Sequence, residues 1–332
     1  MKVDELTTKL ATRDERRLVV KLGAIQIAKD ASAISVDGQD FFLDEQATAM
    51  FAKYLKIPGP YIKNCPPEFR AQTFEFWRDK HAEAVTVLEV VAGDLVSIHA
   101  HGLLMLPLDA VVDVITRVFP PTADVRTFMR DERRLHIDIT SDRYLVDIPN
   151  PNGVAGRPEN GDLTSAGVRV LVYPNQVKAP IAATYLHRHH NNGGMTTDLK
   201  EGQITLKGRT VDEVLEGMEV AANEILTTLD DQLARYAKTV ETDVPGTPLA
   251  FAMALAREAK LPVSVRESVM DLVNQLPEDA SVYDVKQAFV TVASRGVKYN
   301  TQLVLQELGG RLAMDTQRAI ERCSSCEQLL AS

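Results

Sequence analysis

Apolar positions repeat with two different periods along the chain. Up to about residue 209 they alternate with polar ones or form short β-branched runs broken by turn residues. From Thr210 onward they recur every three to four residues. The first pattern predicts strands with a few interspersed helices, the second an all-helical region. Strands are expected over 18–27, 84–91, 94–101, 125–129, 134–148, 167–173 and 181–190. Between residues 32 and 43 the pair Asp37-Gly38, flanked by apolar residues, marks a tight hairpin turn. Asp44 can cap the helix that follows, where Ala47, Met50, Phe51, Tyr54 and Leu55 share one face. The run Ile57-Pro-Gly-Pro-Tyr61 stops that helix, because proline lacks an N–H donor and glycine tolerates the turn. Further helices are expected from Pro66 to about His81 and over 108–119. Residues 150–163, rich in Pro, Gly and Asn, form the longest loop candidate.

At Thr210 the sequence Thr-Val-Asp-Glu fits a capping box. Val214, Met218, Ile225, Leu229, Leu233 and Tyr236 then keep helical spacing over about eight turns. Helices are also expected over 248–260, 264–275, 281–294 and 300–330. Strands first and helices afterwards predict an α+β fold. The expected architecture is a mixed, mainly antiparallel sheet with helices in the first two-thirds, followed by an all-helical C-terminal region. The corresponding units are residues 1–209 and, packing on them or extending from them, residues 210–332.

Composition narrows the function classes. The 332 residues carry a net charge of −9 and a pI near 5.4, so nucleic acid exerts no favourable long-range pull. Any phosphate binding must come from a local basic patch. Three cysteines, an N-terminus without an apolar stretch and the absence of long apolar runs predict a cytoplasmic protein with no membrane segment. Cys323 and Cys326, near the C-terminus, read as free thiols. No P-loop, GxGxxG, HExxH or GxSxG motif is present, and no cofactor is expected.

Candidate chemistry is confined to a few places. Arg13-Asp-Glu-Arg-Arg-Leu18 recurs as Arg130-Asp-Glu-Arg-Arg-Leu135, each before a strand-like run. The repeat reads as a solvated charged turn, or as a pair of arginine-rich edges gripping phosphates. Three strands carry alternating pairs, His99 with His101, His136 with Asp138, and His187 with His189. Members of a pair point to one face, so neighbouring pairs could bind a metal. Polar-face histidines on strands that never meet are the alternative. Asn191, Asn192, Gly193 and Gly194 end a His- and Arg-bearing strand and could form an anion-binding nest, or a plain turn. Aromatic residues make up 6% of the chain; Phe41, Phe42, Phe74, Phe76, Trp77, Tyr144, Tyr173 and Tyr185 lie in the first half, where most follow the apolar faces of a core, the alternative being base stacking beside a basic groove.

Several segments resemble, in order, the phage/plasmid-like family described as domain of unknown function 932. These are the stretch from Leu43 to Lys63, the stretch from Gly93 to Asp109, the strand pair ending Asn192-Gly-Gly-Met195, and the helices around Ser281–Ala293 and Leu305–Gly310. In this chain Ser97 stands at the family's arginine position and His190 at its cysteine. The resemblance implies a bacteriophage-encoded protein engaged in mobile-element DNA metabolism or in dealing with the host. Three functions are therefore expected in turn. The first is an accessory factor that binds, and could anneal, single-stranded nucleic acid through Arg130, Arg133, Arg134, Arg143, Arg188 and Lys200. The second is a non-enzymatic factor that captures a host or phage protein through the helix over 211–240, as a homo-oligomer. The third is a metal-dependent hydrolase using the histidine pairs.

Overall fold

The computed structural model describes residues 1–10, 15–102, 104–130, 134–150, 157–173, 180–190, 193–196, 204–205 and 210–321. The chain begins with a short helix α1 (Leu6–Lys9). Strands β1 (Glu15–Lys21), β2 (Gln26–Ile27), β3 (Ala33–Val36) and β4 (Gln39–Phe42) follow, then helices α2 (Glu45–Tyr54), α3 (Gly59–Asn64) and α4 (Pro67–Lys80). Next come β5 (Val85–Val91), β6 (Asp94–Ala100), α5 (Leu108–Val118), β7 (Asp124–Arg130), β8 (Leu135–Ile148), β9 (Asp162–Val172), β10 (Ile181–Arg188), β11 (Gly193–Thr196) and β12 (Ile204–Thr205). Helices complete the fold: α6 (Val211–Lys238), α7 (Pro248–Glu258), α8 (Val263–Val273), α9 (Val282–Ser294), α10 (Tyr299–Met314) and α11 (Thr316–Glu321). The fold is α+β, with a helical C-terminal region.

The first sheet has the order β1-β5-β6-β4-β3-β2, antiparallel except where β4 meets β6. Asp37 and Gly38 both take positive φ, 52° and 78°, the geometry of the tight turn that matches strand twist. Leu88 and Val90 of β5, Leu95 and Ile98 of β6, Ile34 and Phe41 turn to one face. There they meet Ala47 and Phe51 of α2, Ile62 of α3, and Ala71 and Phe74 of α4. Asp44 caps α2 by accepting the Ala47 N–H at 2.6 Å.

The second sheet has the order β11-β10-β9-β8-β7, with β12 also on β10, and every pairing is antiparallel. Leu135, Ile137 and Ile139 of β8, Val168 and Val170 of β9, and Ala182 and Leu186 of β10 form its apolar face. That face packs on Met218, Ile225, Leu229 and Leu233 of α6 and Val111 and Ile115 of α5. Thr210 caps α6 by accepting the Glu213 N–H at 3.2 Å. Helices α9 and α10 close over β11. A Cβ on Gly310 would lie 1.8 Å from the Thr196 carbonyl oxygen, so only glycine permits that approach. A third core, built by Phe251, Leu255, Phe289, Leu305 and Leu312, holds α7 to α11 together.

Helix α6 shares the second sheet's core, so the helical region that starts at Thr210 packs on that sheet, and the last helices keep a core of their own. One expectation is revised. The apolar face of α6 is buried inside its own chain, so it is not the outer surface for capturing a protein partner.

Candidate functional site

The second sheet's other face is polar and also buried. Direct cross-strand pairing brings Asp138 of β8 opposite Arg169 of β9. Arg169 donates to both carboxylate oxygens, Nε to Oδ1 at 2.6 Å and Nη2 to Oδ2 at 2.8 Å. His136, two residues earlier on the same face, donates from Nε2 to Asp138 Oδ1 at 2.8 Å. That bond fixes the tautomer and leaves Nδ1 to accept the Tyr299 hydroxyl at 3.1 Å. Burial holds His136 below its ordinary pKa, outweighing the pull of Asp138. Burial alone would raise Asp138, but Arg169 and then His136 bring it below the usual carboxylate range. Arg134 lies 3.8 Å from the centre of the Tyr299 ring, whose hydroxyl burial pushes up to about 12. This is a closed network that ties the start of α10 to the sheet.

The metal reading does not find its geometry. His99 belongs to the first sheet, facing Glu89 at 3.9 Å, and His101 is exposed beyond the end of β6. The other pairs lie on the second sheet. Asp138 is occupied by Arg169. The rings of His187 and His189 are 5.2 Å apart, and burial followed by the charge of Arg126 pushes His187 down to about 4. A cation is disfavoured beside that guanidinium. Among the described residues no three His, Cys, Asp or Glu side chains gather as a ligand set.

The expected phosphate patch is also dispersed. Arg188 is buried and donates from Nε to Asp162 Oδ2 at 2.5 Å, so it cannot meet a phosphate. The same oxygen accepts the Tyr283 hydroxyl and, at 3.3 Å, Nε2 of Gln287. Arg134 stacks on Tyr299. Arg143 is exposed inside β8, nine residues on from Arg134 and so up to roughly 30 Å away along a strand that rises about 3.3 Å per residue. Arg133, Lys200, Asn191, Asn192, Cys323 and Cys326 lie outside the described residues. Gly193 and Gly194 belong to β11, paired with Arg188 and His187, and neither has the positive φ that a nest alternates. Gly194 is needed for packing, since a Cβ there would come within 2.7 Å of the Tyr185 hydroxyl.

Arginines do converge elsewhere. A cleft of about 530 Å³ opens between the first sheet and the N-terminus of α5, within the range of roughly 300–1,000 Å³ usual for ligand sites. Arg16 and Arg17 of β1 and Arg130 of β7 line it, together with Glu89, Val91, Val96 and the stretch from Met105 to Asp109. Both copies of the Arg-Asp-Glu-Arg-Arg repeat thus deliver arginines to one place. The reason is local. On β1, Leu18 and Val20 pack against the first core, and the alternation turns Arg17 to the opposite face. Arg130 ends β7 and is steadied by donating from Nη1 to the Leu10 carbonyl at 2.6 Å. Arg17 is exposed and makes no ion pair among the described residues. Pro107, at the N-cap of α5, offers no side-chain acceptor to the first-turn amides, and that end of a helix favours anions.

The repeat was the sequence signal for this cleft, and it named Arg16 and Arg17 as plainly as Arg130. Arg169 had a signal too: an arginine inside the β-branched run Gly167-Val-Arg-Val-Leu-Val is more easily placed inward and paired than outward. Nothing in the sequence pointed to Tyr299 or Asp162, whose partners lie far away along the chain.

No family model matches this chain, and no curated protein and no solved structure matches it either.

Proposed function

We propose that the protein binds single-stranded nucleic acid in the cleft between the first sheet and α5, with phosphates on Arg16, Arg17 and Arg130. The observation that carries this reading is the convergence of both repeats on one cleft that also holds the N-terminus of α5. Three arginines against Glu89 and Asp109 leave the cleft locally positive on a chain of charge −9. Local neutralisation, rather than a long-range field, then supplies the affinity. The cytoplasm of a host cell, a homo-oligomeric state and a role in recombination or annealing, as the resemblance to the phage/plasmid-like family implies, belong to the same proposal.

The test is fluorescence anisotropy of labelled single strands at several salt concentrations. Three phosphate contacts on a single strand give a log–log salt slope of roughly −2, at about −0.7 each. Reversing two of them, in Arg16→Glu with Arg17→Glu, should abolish tight binding and flatten the slope to about −0.7 or less in magnitude. Absence of binding at low salt, or an unchanged slope in that variant, overturns the reading.

A specific observation favours a second reading, capture of a host or phage protein. Phe69 and Phe76, seven residues apart on α4, are exposed on one face, and the Tyr61 hydroxyl lies 3.3 Å from that of Thr73 between them. Such a stripe suits a protein partner. A complex that survives nuclease treatment and is lost in Phe69→Ala with Phe76→Ala would support it.

A further inference from the structure

The cleft's ligand can be narrowed by what stands beside it on the same face of the first sheet. We infer that Phe42 is a base-stacking platform, so that the ligand is a nucleic acid with unpaired bases and not a duplex or a lone phosphate. This rests on the phosphate-binding reading of the cleft.

The register places Phe42. At one end of the sheet Glu15 of β1 pairs with Val91 of β5, Val91 with Asp94 of β6, and Asp94 with Phe42 of β4. Directly paired residues share a face. Val91 lines the cleft, and so does Arg17, two residues beyond Glu15 on the same side of β1. Phe42 therefore stands on the cleft's face, at the cleft's end of the sheet. Three strand spacings of about 4.8 Å put its backbone roughly 14 Å from that of β1, a span that a few nucleotides of extended strand can bridge.

The ring is where a core residue would not be. Phe41, its neighbour, is fully buried, whereas Phe42 is 61% exposed although β4 is an interior strand. The backbone beneath it is fixed: its N–H donates to the Gly93 carbonyl at 3.2 Å, and Leu43 N–H donates to Ser32 at 2.8 Å. A flat apolar ring held open to solvent on a fixed backbone forgoes most of the burial available to a phenylalanine. Beside an arginine-lined cleft that arrangement matches single-strand sites, where arginines follow the backbone and aromatic rings take the bases. Asp94, between Phe42 and the cleft, repels phosphate and does not hinder stacking on the ring.

The molecule supplies its own control. Phe69 is 58% and Phe76 63% exposed, but both lie on α4, which covers the opposite face of the sheet. Phe42→Ala should weaken binding of a single-stranded oligonucleotide by roughly 5- to 100-fold, with the salt slope unchanged. Phe42→Trp should retain binding, and its added fluorescence should be quenched by the oligonucleotide. Phe69→Ala with Phe76→Ala should bind as the parent does. On an abasic oligonucleotide the parent and Phe42→Ala should bind alike. If the parent binds single strands, the Arg16/Arg17 reversal weakens binding and Phe42→Ala does not, the stacking role alone is overturned. If the parent binds no nucleic acid, the cleft reading fails and the stacking role with it.

Discussion

The two sheets treat their polar faces in opposite ways. In the second sheet both faces are buried, and its charges are consumed internally: Arg169 by Asp138 on the polar face, Arg188 by Asp162 on the face beneath α6 and α9. In the first sheet the face away from the helices stays partly open, with Arg17 on it, and both Arg16 and Arg17 border a cleft. Strand arginines thus hold the fold together in the second sheet, while Arg17 stays exposed beside a cleft in the first. What separates them is whether the chain covers the sheet twice or once. Basic residues counted along a sequence do not locate a basic surface until the covered faces are known.

The comparison is broken most severely at Asp138. Asp138→Asn leaves Arg169 buried without a countercharge and should lower stability by about 3–5 kcal/mol, measured by denaturant unfolding. Arg17→Glu, on the open sheet, should stay within about 0.5 kcal/mol of the parent. Equal losses at the two positions would remove the distinction between the sheets.

Acid should act on the covered sheet through its histidines. His187 is held at about 4 against an ordinary 6.5, mainly by burial and then by Arg126. Between those values the unfolded chain binds a proton that the folded chain refuses. Stability should therefore fall as pH drops from about 6.5 to about 4, by about 3 kcal/mol if His187 acts alone. His187→Gln should flatten that window. Nucleic-acid binding at the first sheet, which uses arginines, should lose none of its affinity over the upper part of the same range.

A smaller effect is expected at Lys286. Its amine is fully buried on α9 without a hydrogen-bond partner, 3.8 Å from the centre of the Tyr236 ring and 4.4 Å from that of Tyr283. Burial, and then Arg188, push it well below its ordinary pKa. The unfolded chain holds that proton at neutral pH more readily than the folded chain does, so stability is reduced there and regained toward alkaline pH. Lys286→Met should stabilise the protein by about 1–3 kcal/mol. A loss of stability would mean that the two rings compensate the amine better than burial penalises it.

The amino-acid sequence by itself determined the class of the fold and much of its local structure. Alternation marked β5, β6, β8, β9 and β10, Asp37-Gly38 marked its hairpin, and Asp44 and Thr210 marked the starts of their helices. Each depends on interactions within a few residues. The sequence also held the duplicated arginine motif that lines the cleft. It could not decide which polar residues face inward. His136, Asp138, Arg169 and Tyr299 are joined by bonds between residues up to 163 positions apart, and no local period encodes such a contact. Phe41 and Phe42 look alike in sequence. Only the packing of α2 to α4 on one side of the sheet made the first a core residue and left the second in solvent, because burial belongs to the face that a neighbouring element covers.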